Sequence, residues 1–188
     1  MDKKLIYIVL LISVLIMVPT TYAQTAGQSA SLQKPEDHQS SAVVKNDAYY
    51  AKKRLVIKRV LERYGSPMID SAGGFANTCR SYDIDCYLLP SIAGLESGFG
   101  KHIWPDSHNA FGWGRGFLMF DSWDDCIDAV GKGLRKKYMD KGAMTIEQIA
   151  PIYSESSTWA PRVNYFMQVF QDEEKKIDLF FSQGSVQL

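Results

Sequence analysis

Residues 91–100 read Ser91-Ile92-Ala93-Gly94-Leu95-Glu96-Ser97-Gly98-Phe99-Gly100, and the character of the chain turns on this run. Upstream lie Tyr87, Leu88 and Leu89, so an apolar helix is expected to approach Glu96 with Asp85 as its N-cap. Pro90 fits such a helix at a first-turn position or at a bend. Gly98 and Gly100 then stop it, leaving one carboxylate at the end of an apolar segment beside a Gly-rich turn. Ile92 and Leu95 lower the dielectric around that carboxyl, which disfavours its charged form. A carboxyl that keeps its proton near neutral pH is what a general acid at a glycosidic oxygen requires. The glycines beside it let a polymer approach the backbone closely. A solvated Glu at a helix C-terminus is the plain alternative.

Downstream, His108-Asn109-Ala110-Phe111-Gly112-Trp113-Gly114 follows within a segment, 101–121, that has no helical period. Asn109 offers a donor and an acceptor suited to a sugar amide or hydroxyl. Phe111 and Trp113 offer flat apolar faces for a pyranose ring, unless Phe111 is spent on the core. At most one short hairpin is expected, around Phe117–Phe120. His102, His108 and Asp106 match no metal-ligand spacing, so neither a metal site nor any other cofactor is expected. A third stretch, Tyr153-Ser-Glu-Ser-Ser-Thr-Trp-Ala-Pro-Arg-Val163, places Tyr153 at a helix end and Trp159 six residues on, where both could line a groove.

The rest of the chain reads as helix. Leu55, Val56, Val60, Leu61 and Tyr64 recur at three- and four-residue spacing in a helix over 49–64, which Gly65-Ser66-Pro67 ends before the next one starts at Pro67. Ser122 precedes an apolar stripe of Trp123, Cys126, Ile127, Val130, Leu134 and Tyr138, with acids in its first turn. Thr145 and Gln148 form a capping box. A last helix starts near Pro161, with an acidic and basic cluster after it. The fold class expected is mostly α, with at most a short hairpin, over residues 47–188.

Two segments precede that domain. Lys3 and Lys4, the uncharged run 5–18 and the small residues up to Ala23 have the layout of a secretory signal peptide, residues 1–23. The run falls short of the ~20 residues that span a bilayer, although an uncleaved anchor would tether the protein to the membrane. In either case the domain lies outside the cytoplasm. Residues 24–46 are polar and rich in Ser, Gln and Ala, and read as a disordered tether. Export permits a disulfide among Cys79, Cys86 and Cys126: a small 79–86 loop, a pairing of Cys126 with either, or three buried thiols. Lys plus Arg equals Asp plus Glu at 21 each, so no global field favours nucleic acid or an anionic membrane.

Taken in order, these segments resemble family 73 of the glycoside hydrolases, the bacterial endo-β-N-acetylglucosaminidases. The family's Ala-x-Glu-Ser-Gly-aromatic-Gly helix end, Asn-x-Phe-Gly turn, aromatic-Asp-Ser helix start and Tyr-containing loop correspond to Gly94–Gly100, with Gly94 in place of the Ala, Asn109–Gly112, Phe120–Trp123 and Tyr153–Val163. The similarity covers about residues 47–170. It implies a lysozyme-like domain with Glu96 as catalytic acid, Tyr153 as an active-site Tyr, and Asn109, Phe111, Gly112, Trp113 and Trp159 around the substrate. That substrate would be peptidoglycan cut between N-acetylglucosamine and N-acetylmuramic acid, with a monomer as the working form. Only ten residues separate Asn109 from Phe120, and none is a Glu; Asp106 and Asp121 are the nearest acids. A second acid therefore has no assigned position. Inverting, retaining and substrate-assisted routes stay open, the last favoured by the single well-placed acid. A lytic transglycosylase or muramidase on the same fold and a non-catalytic wall-binding module are the alternatives.

Overall fold

A computed structural model describes residues 38–184. The expected signal peptide, residues 1–23, and residues 24–37 of the expected tether lie outside the described residues. Six α-helices make up most of the described chain: α1 His38–Arg63, α2 Ala72–Tyr82, α3 Leu88–Ser97, α4 Trp123–Lys137, α5 Ile146–Tyr153 and α6 Trp159–Gly184. The mostly-α class is thus as expected. Among the described residues there is no strand, which lies within the bound of at most one short hairpin, and residues 118–120 run without regular structure.

Helix α3 is the axis of the domain. Every residue from Leu88 to Gly94 is buried, and helices α2, α4 and α6 pack around it. The uniform apolarity of its sequence follows, since a helix covered on all sides has no polar face. Pro90 falls at its third residue, where the missing N–H would have had no intrahelical partner. Asp85 acts ahead of the helix, its Oδ1 accepting from the Tyr87 amide at 2.8 Å. Around α3 the core is filled by Ile57 and Leu61 of α1, Phe75 of α2, Ile127 and Leu134 of α4, and Phe170 of α6. Cys79 and Cys86 form a disulfide across Cα atoms 4.9 Å apart, joining α2 to the entry of α3. Cys126 is left as a buried thiol, which burial pushes up to about 12.

Three boundaries differ from the sequence reading. Helix α1 starts at His38, so residues 38–46 continue a helix where a tether is expected. These residues carry no apolar period, and a helix already anchored by Val56 and Leu61 extends at little cost, because propagation is cheap once nucleated. Helix α2 starts at Ala72 instead of Pro67, after a 3-10 turn at Ile69–Ser71. Ser66 explains the delay: its Oγ accepts from the Met68 amide at 3.0 Å and donates to the Phe99 carbonyl at 2.8 Å, fixing the chain in a turn. Finally, α6 contains the charge cluster that the sequence places after it. Glu173 is buried and pairs with Arg63, while Glu174 takes Lys53 at 2.8 Å and Lys52 at 3.1 Å, so this charged stretch clamps α6 to α1.

Candidate active site

Glu96 is the penultimate residue of α3, and the way the helix stops determines where it points. Gly98 adopts φ +59° and caps the helix in the left-handed conformation. Phe99 then turns back into the core against Tyr64 and Phe166, at ring-centroid distances of 4.6 and 5.2 Å. Its ring lies over Gly94, where an added Cβ would come within 2.7 Å of it. Ser97 completes the stop: its buried Oγ accepts from the Gly100 amide at 2.8 Å and lies 2.8 Å from the Ala110 carbonyl, to which it donates. The Glu-Ser-Gly-Phe-Gly run is therefore a device that ends the helix and stitches it to the next loop.

The surroundings of Glu96 differ from the apolar pocket expected. Ile92 is turned wholly into the core and Leu95 is half-buried, but Glu96 itself is exposed. Its contact is polar: Trp159 Nε1 donates to Oε1 at 2.8 Å. Trp159 opens α6 and is only 3% exposed, so it offers no face to a ligand. It acts on the carboxyl, which is a correction to its expected place on the groove surface. Its indole stacks on Tyr153 with centroids 4.9 Å apart. Tyr153 closes α5 and donates its hydroxyl to the Phe111 carbonyl at 3.2 Å. Burial raises the Tyr153 phenol above its ordinary range, and the negative charge of Glu96 adds to the effect, so the hydroxyl stays protonated.

Two cavities meet at Glu96. The larger, of about 510 Å³, is lined by Phe111, Trp113, Leu118, Lys137, Tyr138 and Tyr153. The smaller, of about 250 Å³, is lined by Ser97, His102, Ile103, Trp104, Asn109 and Phe117. Glu96, Gly112 and Arg115 belong to both. Gly112, at φ +66°, faces the carboxyl closely: a Cβ there would stand 4.0 Å from Oε2. Among the described residues, Glu96 is the one acidic side chain lining either cavity. Asp106 and Asp121 are exposed and line neither. A third cavity, of about 340 Å³, sits at the opposite end of α3 among Leu88, Met139 and Met167 and does not reach Glu96.

The remaining expected residues divide into two groups. Trp113 is half-buried in the larger cavity, with one edge against Gly133 and Lys137 Nζ 5.6 Å from its ring centroid. Phe111 is buried in the core and contributes its carbonyl to Tyr153. Asn109, expected to bind a sugar, has its side chain occupied. Nδ2 donates to the carbonyls of Trp113 at 2.8 Å and Leu118 at 3.1 Å, and Oδ1 accepts from the Trp113 amide at 3.0 Å. At 3% exposure, with both Nδ2 protons committed to backbone carbonyls, it shapes the loop at the edge of the smaller cavity. His108 is a second loop pin: Nδ1 donates to the Phe120 carbonyl at 2.9 Å, and the ring meets Trp123 edge-on.

Several residues of the cleft escape a reading of the sequence alone. Trp104 and Phe117 are 60% and 67% exposed and meet edge to face at 5.8 Å, forming an open aromatic rim on the smaller cavity. Tyr138 and Lys137 come from the end of α4, where only a helical stripe and a basic last turn are legible. The aperiodic loop gives no signal for exposure, so Trp104 and Phe117 had no mark beyond their residue type. The chain matches no protein-family model and no curated protein.

Proposed function

We propose that the chain is an exported peptidoglycan hydrolase that cuts the glycan strand between N-acetylglucosamine and N-acetylmuramic acid, with Glu96 as general acid. The observation that carries this reading is the meeting of two cavities, one on each side of a single carboxyl held by an indole N–H. A glycosidic bond is flanked by a sugar on each side, so a cleft with room on both flanks of one acid suits an endo-acting hydrolase. Aromatic faces at Trp113 and at the Trp104–Phe117 rim suit pyranose rings. The resemblance of Glu96–Gly100, Asn109–Gly112 and Tyr153–Val163 to family 73 supports the same conclusion.

With one acid in the cleft, the substrate's own 2-acetamido group is the favoured nucleophile. Glu96 delivers its proton to the glycosidic oxygen. The acetamido oxygen bonds to C1 as the C1–O bond breaks and the leaving sugar departs as an alcohol. Water then attacks C1, the ring formed by the acetamido group reopens, and Glu96 takes back the proton. Tyr153, whose hydroxyl proton goes to the Phe111 carbonyl, assists by accepting from the acetamido N–H.

The test is digestion of purified peptidoglycan followed by borohydride reduction and mass spectrometry of the new ends. Reduced N-acetylglucosamine ends are expected, falling by roughly 10²–10⁴-fold with Glu96→Gln. Anhydro-muramic ends would instead make the protein a lytic transglycosylase. An absence of new ends from the unmodified protein would leave a binding module and remove the catalytic role from Glu96.

A further inference from the structure

Arg115 stands where both cavities adjoin Glu96, yet no hydrogen bond or ion pair ties its guanidinium down among the described residues. Its backbone is unusual. Arg115 sits at φ +59° between Gly114 at +60° and Gly116 at +84°, so a side chain is carried in a left-handed stretch otherwise given to glycine. Such conformations persist where the surroundings over-determine them, and they concentrate at ligand sites. Here Asn109 supplies the constraint, holding the carbonyls of Trp113 and Leu118 on either side of the arch. The Gly116 amide also donates to the Gly112 carbonyl at 3.0 Å. The outcome is an exposed, unpaired cation presented on a pinned loop beside the reacting carboxyl.

The charge balance of the cleft points the same way. Arg115 and Lys137 face it with Glu96 as the one acid, although the whole chain is balanced at 21 charges of each sign. Lys137 lies 5.6 Å from the Trp113 ring centroid and is partly engaged there; Arg115 is not engaged. A planar guanidinium with free N–H groups matches a carboxylate in two-point contact. A glycan of N-acetylglucosamine alone carries no carboxylate, whereas muramic acid carries a lactyl carboxyl, and the peptides built on it carry others.

We infer that Arg115 is the carboxylate receptor of the cleft and sets a preference for muramic-acid-containing strands over uncharged glycan. This rests on the hydrolase reading above and names what distinguishes its substrate.

The experiment is binding, so that it does not depend on turnover. The full chain carrying Glu96→Gln is titrated, by tryptophan fluorescence and calorimetry, with three probes: N-acetylglucosamine oligomers, peptide-stripped glycan strands, and strands retaining their stem peptides. Adding Arg115→Gln or Arg115→Gly is expected to weaken the carboxylated probes by roughly tenfold, the loss of one charge-assisted contact. The ratio of their affinity to that of the uncharged oligomers should fall accordingly. A loss on stripped strands identifies the lactyl carboxyl as the source; a loss confined to peptide-bearing strands identifies the stem. Arg115→Gly suits the local backbone, so its melting temperature should not fall, and a lost preference in it is not a collapsed loop. Equal weakening of all three probes, or none, overturns the assignment of Arg115. No binding of any glycan before Arg115 is changed overturns the wall-glycan reading, and this inference with it.

Discussion

Glu96 lies on the seam between two regions built on opposite plans. On one side, α2, α3 and α4 bury apolar side chains from nearly every turn, and the Cys79–Cys86 disulfide ties α2 to the entry of α3. On the other, residues 98–122 contain nine of the twelve positive-φ positions found among the described residues. That loop keeps its shape through side chains that bond to backbone: Ser97, His108 and Asn109. The helical side fixes where the carboxyl is, and the loop side fixes what the carboxyl faces. The difference teaches where damage should register. Core contacts are many and each is modest, so helical packing fails gradually. The loop rests on a few polar bonds, and losing one should disturb the cleft out of proportion to the atoms changed.

The harshest way to break the loop is at Asn109. Asn109→Asp keeps the size but turns a donor aimed at two carbonyls into an acceptor, and buries a charge without a partner. Oδ1 still accepts from the Trp113 amide, but the two Nδ2 bonds go, at about 1 kcal/mol each. The buried unpaired oxygen adds about 1 kcal/mol more, lowering the melting temperature by roughly 10 °C. Glycan binding should be lost even below the melt, because the Trp113–Leu118 arch no longer closes. Thermal denaturation and ligand titration of the same sample check both parts. A variant that melts earlier but binds normally would mean the arch is held by other contacts.

The corresponding break on the helical side is smaller and should leave the cleft alone. Replacing Cys79 and Cys86 by Ala removes a cross-link over a sequence separation of 7, worth about 2–3 kcal/mol by loop-closure entropy. Neither Cys lines the two cavities. Glycan binding well below the melting temperature should therefore match the unmodified protein. Reduced affinity in that range would show that α3 transmits strain from its entry to Glu96, and would weaken the division between the regions.

The same division explains what could be read from the chain. Helices write themselves into spacing and caps: α4 begins directly after Ser122, and the Thr145–Gln148 capping box stands where the sequence puts it. The all-apolar run before Glu96 became the buried axis. The loop was legible as aperiodic and no further. A hairpin at 117–120 needs ladder bonds, and Asn109 takes the place of a ladder by claiming the Leu118 carbonyl. The residue types around the carboxyl were recognised, but two of their tasks were exchanged. Asn109 and Trp159 turn inward to organise the site, while Trp104, Phe117 and Arg115 face the cleft. Exposure depends on tertiary packing, and neither residue type nor spacing encodes it. The charged end of α6 was misplaced for a similar reason. The nearest partners of Glu173 and Glu174 are Arg63, Lys53 and Lys52, more than 100 positions away, and no local window contains those three.

Trp159 is where the two plans meet, and it yields the mildest and most specific test. Its indole belongs to the helical side by burial, and its N–H reaches across to Glu96 Oε1. Trp159→Phe keeps an aromatic ring against Tyr153 and removes the N–H. If that bond holds the carboxyl in register with the glycosidic oxygen, turnover on peptidoglycan should fall roughly tenfold, the loss of one hydrogen bond. KM should change little, since Trp159 touches no ligand and the cavity walls stay in place. A role limited to packing predicts the reverse, a lower melting temperature with kcat intact below the melt. A fall in kcat at unchanged KM therefore assigns the indole to positioning Glu96. An unchanged kcat would return it to the core and leave the carboxyl oriented by the end of α3 alone.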